Sequence, residues 1–291
     1  MRKSKMLKLF LVVCLVSVVF SCRTSDSESD TKKLKPNFYG KASESGKVQA
    51  SEAENARSTM ADKTIVLTFD DGPASETERL VDFLDSKGVN ATFFVIGKFL
   101  KNSAHYRNVM KKAAASGHIL ANHTLTHTSA TPAWLKLPDP SERFRDELLA
   151  SDDLLTELVG PSKYRFFRPP GGYWEKSDHR LIIDHPRFKY YYGPVGWNMG
   201  GSISHFTASD HECWTKGMSL KACADLYFKE ISSKRKGIAL FHDNHKKTID
   251  MFINYLYPQI EAAGYKIIPL SRVPYYSQQI EKDHGPGVIV E

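Results

Sequence analysis

Cysteine is scarce in this chain of 291 residues, with four in all and no CxxC pair, so a disulfide-dense scaffold and a cysteine-only zinc site are both excluded. No basic run is interleaved with aromatic side chains, which removes the usual footprint of a nucleic-acid binder. No segment recurs at a fixed period, so a repeat array is not expected. The longest apolar run, Leu7 to Phe20, is about 14 residues, short of the roughly 20 that cross a bilayer. What is present is 41% hydrophobic content, enough to build a sizeable core in one large domain or two small ones.

In residues 1–22, Arg2, Lys3, Lys5 and Lys8 precede or open that apolar run, and Ser21-Cys22 ends it, the layout of an export signal. Val19-Phe20-Ser21-Cys22 resembles the lipobox of bacterial lipoproteins, which implies lipidation of Cys22 and a membrane anchor; secretion after ordinary cleavage is the alternative. Loss of this segment removes four basic and no acidic side chains, so the formal charge of +7 falls by four to +3 and the mature chain is only mildly basic. Residues 23–61 are rich in Ser, Lys, Glu, Asp and Ala and read as a flexible tether with an r.m.s. span of roughly 30 to 40 Å. A folded domain is expected over 62–275, followed by a tail at 276–291. Cys14 leaves with the signal and Cys22 carries lipid, which leaves Cys213 and Cys223. An oxidising exported compartment favours a disulfide between them, with two separate buried thiols as the alternative.

From Thr64 onward, short β-branched runs alternate with longer amphipathic ones. Strands are expected at Thr64–Phe69, Ala91–Gly97, Ile119–Ala121, Tyr164–Phe167, Lys189–Tyr192, Ile238–Phe241 and Tyr265–Leu270. Helices are expected at Ser75–Lys87 with Ser75 as N-cap, Asn102–Ser116, Ser141–Val159, Ser177–Asp184, Ser219–Ser233 and Lys246–Ala263. About seven such units argue an α/β barrel of parallel strands, whose C-terminal strand ends converge on one mouth.

Four short motifs fall at those ends: Thr-Phe-Asp-Asp-Gly-Pro at 68–73, His123 with His127, Arg168-Pro-Pro, and Leu240-Phe-His242. The adjacent carboxylates Asp70 and Asp71 are able to divide two tasks, one holding a cation and the other accepting a proton from water. Histidines four apart project to one side of a helical turn and can grip one ion, and an Asp with two His leaves coordination positions open, as catalytic sites do. Singly each motif has an ordinary reading: a turn, a polar helix face, a surface charge, a core histidine. Together they coincide in type, order and placement. His118, His205, His211 and His245 have no such pattern and read as solvated or packed.

The ordered motifs resemble the polysaccharide deacetylases of the NodB-homology type, carbohydrate esterase family 4, over roughly Lys63 to Arg272. The resemblance implies a distorted (β/α)7 barrel and removal of acetyl groups from N-acetylglucosamine polymers such as peptidoglycan or chitin, or of O-acetyl groups from xylan. It implies that Asp70 is the general base, that Asp71, His123 and His127 bind zinc or a similar ion such as cobalt or nickel, that Arg168 orients Asp70, and that His242 is the general acid. Gly171 stands where the family has a Tyr whose backbone N–H serves the oxyanion, and Trp197 closes the fourth motif as a candidate substrate contact. In the family that motif ends in Asp-Trp; here Gly193-Pro-Val-Gly196 precedes Trp197 and supplies no carboxylate. Support for His242 must then come from elsewhere, with Asp178, Asp184, Asp210 and Asp225 as candidates. The segment between Trp197 and Ser219 is expected to form a loop over the mouth. The expected protein is a monomer in the bacterial cell envelope whose partners are a polysaccharide and, through Cys22, the membrane; a catalytically silent glycan-binding module on the same barrel is the second reading.

Overall fold

The computed structural model describes residues 47–127, 139–172, 174, 182 and 184–289. The expected export signal, Cys22 and Asp178 lie outside the described residues, as does most of the helix expected at Ser177–Asp184. No helix among the described residues is long and apolar enough to cross a membrane.

Among the described residues, seven strands run parallel to their neighbours: β1 (Thr64–Asp70), β2 (Thr92–Val95), β3 (Ile119–Asn122), β4 (Arg165–Phe166), β5 (Tyr191–Tyr192), β6 (Gly237–His242) and β7 (Lys266–Ile267). Their ladders form a five-stranded sheet in the order β3-β2-β1-β6, with β7 beside the start of β1, and a separate β4-β5 pair. One bridge between Asn122 and Phe167 joins the two, and another between Met199 and Ala239 continues past β6. The expected α/β arrangement of parallel strands and helices is present, and the ladders among the described residues do not close into a barrel. Every residue of β1 is buried, which accounts for its uninterrupted β-branched and aromatic run.

Alternation along β1 sorts the interior. Ile65, Leu67 and Phe69 face the outer helices, where the Phe69 ring lies 5.4 to 5.6 Å from those of Phe93, Phe241 and Phe252. Val66 faces the inner cluster with Phe94, Ala121, Phe166, Tyr192 and Ile238. Thr68 and Asp70 share the Val66 face, so the inner column passes from an apolar floor to a polar mouth.

Two expectations about the ends are corrected. Lys47–Thr59 is a helix, with Glu52, Ala53 and Ala56 buried and Met60 packed just beyond it, so the tether reading fails from residue 47 onward. Pro274–His284 is likewise a helix that buries Tyr276 and Ile280 against the inner cluster. Small and spaced apolar residues supply enough buried surface once a partner helix covers them, which a composition argument on an isolated segment does not register. Ser75 is not the N-cap of Thr77–Ser86 either: Glu76 holds that position without a side-chain bond, and Thr77 Oγ1 accepts from Ala74 N at 2.8 Å instead. The helix expected at Lys246–Ala263 is continuous but contains a π-helical turn at Phe252–Leu256.

Candidate active site

Register places the first two functional groups. Asp70, the last residue of β1, is the direct neighbour of His242, the last residue of β6, so both side chains leave adjacent strands on one face. Beyond Asp70 the chain turns sharply, with Asp71 at φ 71° and Gly72 packed so closely under Asp243 that a Cβ there would run into its carboxylate. A non-glycine residue in this left-handed region is uncommon, and such strain tends to be kept at functional sites.

The two histidines expected on a helical turn are not on a helix. His123 follows β3, and Thr124 and His127 adopt φ values of 66° and 62°, so a tight loop brings the imidazoles together with ring centroids 5.0 Å apart. The side chains converge as expected by a different backbone route. Asp71 Oδ1 lies 3.0 Å from His127 Nε2 and 3.3 Å from His123 Nε2, and the three ligand atoms all lie within 4.8 Å of one another. His123 Nδ1 sits 2.7 Å from the Arg168 carbonyl; donating to it, the ring leaves its Nε2 lone pair facing Asp71. Asp71 Oδ1 is buried and has no conventional hydrogen-bond donor among the described residues, so two imidazole nitrogens and one carboxylate oxygen surround a point that fits a divalent ion.

Arg168 is fully buried, and each of its nitrogens is used. Its NH1 group donates to Asp70 Oδ1 at 2.7 Å and to Thr68 Oγ1 at 3.0 Å, Nε to the Val195 carbonyl at 2.9 Å, and NH2 to the Gly196 carbonyl at 3.1 Å. The guanidinium is also covered by Phe94 at 4.1 Å and Trp197 at 5.5 Å. Trp197 thus packs against the arginine, and Gly196 supplies a carbonyl where a carboxylate was missed. Gly171 is exposed just past β4, at φ 60°.

The carboxylate behind His242 is Asp210. Asp184 is exposed, and Asp225 is engaged on the surface by Lys221 and Gln259. Asp210, by contrast, is fully buried: Oδ1 lies 2.8 Å from His242 Nδ1 and Oδ2 accepts from His242 N at 2.8 Å and from Thr248 Oγ1 at 3.0 Å. Burial disfavours the imidazolium, but the Asp210 charge outweighs it and His242 is pushed up to about 10. The segment after Trp197 is anchored at both ends. Gly200 N and Ala208 N both donate to buried Glu230 of the helix Leu220–Lys234, and Asp210 follows two residues after Ala208 to meet His242.

Cys213 and Cys223 form a disulfide with Cα atoms 5.9 Å apart, stabilising by roughly 2 to 3 kcal/mol in the chain-entropy view. His118 is a packed histidine: its Nδ1 accepts from Ala91 N at 3.0 Å and its Nε2 lies 3.1 Å from Asp85. Sequence reasoning missed Thr248 and Glu230, whose roles depend on contacts that leave no local signal.

Residues 57–185 match the family model "Polysaccharide deacetylase". A peptidoglycan-N-acetylglucosamine deacetylase of Bacillus cereus is 35% identical over 109 residues, covering 37% of this chain and 36% of that protein. The chain therefore spans about a third of the length of that curated relative. The catalytic domain of a peptidoglycan N-acetylglucosamine deacetylase from Eubacterium rectale superposes with a TM-score of 0.55 at 24% identity, covering 73% of this chain and 90% of that one. A pseudoenzyme of carbohydrate esterase family 4 from Bacillus anthracis does so with a TM-score of 0.54 at 20% identity, covering 73% and 68%. At these identities the two superpositions establish the fold alone, and the chemistry has to be read from the side chains.

Proposed function

We propose, on the match of residues 57–185 to the polysaccharide deacetylase model, that the protein is a metal-dependent N-deacetylase acting on N-acetylglucosamine-containing polysaccharide, with peptidoglycan as the first choice of substrate and chitin-type oligosaccharide as the second. The observation that carries this reading is the flanking of the Asp71, His123 and His127 cluster by two groups with opposite partners: Asp70, paired with the Arg168 cation, and His242, paired with the Asp210 carboxylate.

A divalent cation, zinc first and cobalt or nickel next, held by Asp71, His123 and His127 would supply Lewis acidity toward the acetyl carbonyl and acidify water. Asp70 is the general base, taking a proton from the attacking water while Arg168 fixes one of its oxygens. Gly171 N–H is the candidate donor to the oxyanion. His242 is protonated at neutral pH because Asp210 stabilises its charge, and it delivers that proton to the leaving amine. An amide needs this last step more than an ester does, since a free amide anion is a very poor leaving group. The carboxylate absent before Trp197 favours a silent binding module, whereas Asp210 at 2.8 Å from His242 Nδ1 supports the enzymatic reading. The export signal and Cys22 lipidation read from residues 1–22 would place the domain at the cell envelope, near such a substrate.

The test is acetate release by the full chain from peptidoglycan, chitooligosaccharides and acetylated xylan, with and without chelator and added zinc. Chelator-sensitive release from the N-acetylated glycans is expected. Release from xylan alone would make the protein an O-esterase, and no release from any of them by a folded, metal-loaded chain would overturn the enzymatic reading.

A further inference from the structure

The helix Asp210–Thr215 is only six residues long, too short to hold its shape by its own hydrogen bonds. Its first residue nevertheless carries the carboxylate on which His242 depends. That carboxylate accepts four bonds, from His242 N, His242 Nδ1 and His211 N at 2.8 Å each and from Thr248 Oγ1 at 3.0 Å, so it tolerates little displacement.

Several contacts mount the helix, among them Ile203 N donating to Glu212 Oε1 at 3.3 Å and Met218 N donating to the Cys213 carbonyl at 2.9 Å. Tyr227 Oη accepts from Asp210 N at 2.9 Å, and Ser209 Oγ caps the helix by accepting from Glu212 N at 3.4 Å. The covalent part is Cys213, bonded to Cys223 in the long helix Leu220–Lys234, with both residues fully buried. Trp214 follows Cys213 directly, and its Nε1 donates to Thr248 Oγ1 at 3.0 Å, the same hydroxyl that donates to Asp210. Disulfide, indole and hydroxyl form one continuous path that ends on the carboxylate.

We infer that the Cys213–Cys223 crosslink, acting through Trp214 and Thr248, is a positioning element for proton delivery by His242. This rests on the functional reading above. Loosening the short helix would let Asp210 drift from the imidazole, and the step that suffers is protonation of the departing nitrogen. An aryl ester releases a stable phenolate without that proton, so it reports on the rest of the site. The prediction is thus a selective loss, which a purely structural disulfide would not give.

The experiment compares the full-length wild type, the double variant Cys213→Ala with Cys223→Ala, Thr248→Val and Thr248→Ser on an N-acetylglucosamine oligomer and on 4-nitrophenyl acetate. Zinc content and thermal melting are measured alongside. In the double variant and in Thr248→Val, kcat on the amide is expected to fall about 10- to 100-fold, as misplacement of a catalytic group by an ångström does. KM, zinc content and ester turnover are expected to stay within about twofold by the same argument. Thr248→Ser keeps the hydroxyl and is expected to restore the amide rate. Equal loss on both substrates, loss that merely tracks the unfolded fraction, or no loss would each overturn the inference. A wild type that hydrolyses neither substrate would overturn the functional reading itself, and that failure appears before any substitution is made.

Discussion

The inner column of β1 runs from Val66 at the floor through Thr68 to Asp70 at the mouth, and Asp70 and Asp210 at the mouth have cationic partners that the buried Glu52 at the floor lacks; Asp243, beside the mouth but bonded by the uncharged Thr77 hydroxyl, follows Glu52 and is pushed up to about 7 by burial. At the mouth, Asp210 is pushed up by burial but is held below the usual range by His242, and Asp70 is clamped by Arg168. At the floor, the helix Lys47–Thr59 buries Glu52, whose Oε2 accepts from the Tyr275 hydroxyl at 2.9 Å while its Oε1 has no partner. Tyrosine brings no charge, and burial pushes Glu52 up to about 8. The contrast teaches that burial alone makes a carboxyl neutral. Keeping the mouth anionic requires cationic partners, and those partners are the residues read as catalytic.

The largest effect at the mouth is expected from Asp70→Asn. Asp71, His123 and His127 are untouched, so metal content should match the wild type, while acetate release falls about 10²- to 10⁴-fold, the worth of a general base. Full activity in that variant would sink the role of Asp70. Arg168→Met should unfold the protein more easily by about 3 to 5 kcal/mol, because Asp70 is then buried without its cation. Thermal or urea melting checks this, and a shift below about 1 kcal/mol would mean that the pair contributes little to the folded state. The dependence on pH has a fixed sign. His242 rises from 6.5 to about 10 on folding, so the imidazolium stabilises the fold fully below pH 6.5, and that contribution is lost as pH climbs through 10. Turnover of an amide should fall over the same alkaline range, and Asp210→Asn should move that falling limb of kcat down toward the ordinary imidazole range; an unmoved limb would show that Asp210 does not tune His242.

Much of the mouth was legible because its residues sit on strand ends that the β-branched runs announce. Asp70 and His242 are in register on adjacent strands, and the Asn122–Phe167 bridge brings the segments of His123 and Arg168 side by side. The loop that folds His127 back was not legible: residues four apart suggest a helix, whereas Thr124 and His127 reach the same convergence through left-handed backbone. Asp210 was one of four candidates and could not be singled out, since what distinguishes it is burial beneath His242 and a bond from Thr248, 38 residues away in sequence. The floor was misread for the same reason. Ala53, Ala56 and Met60 look too sparse to fold until Tyr276 and Ile280 lie across from them.

The smallest predicted effect tests the floor. Glu52 rises from 4.5 in the unfolded chain to about 8 in the fold, so its contribution to stability is complete below pH 4.5 and is lost as pH rises through 8. Wild-type melting temperature should therefore decline between pH 5 and pH 8 relative to Glu52→Gln, which has nothing to ionise and retains an acceptor for the Tyr275 hydroxyl. The gap at pH 8 should correspond to about 1 to 3 kcal/mol, the usual cost of a buried polar group that is left unpaired. Amide turnover at a temperature where both proteins are folded should be the same, because Glu52 contributes no group to the mouth. A wild type that gains stability across this range relative to Glu52→Gln would mean that a cation reaches Glu52, and the two ends would then obey one rule instead of two.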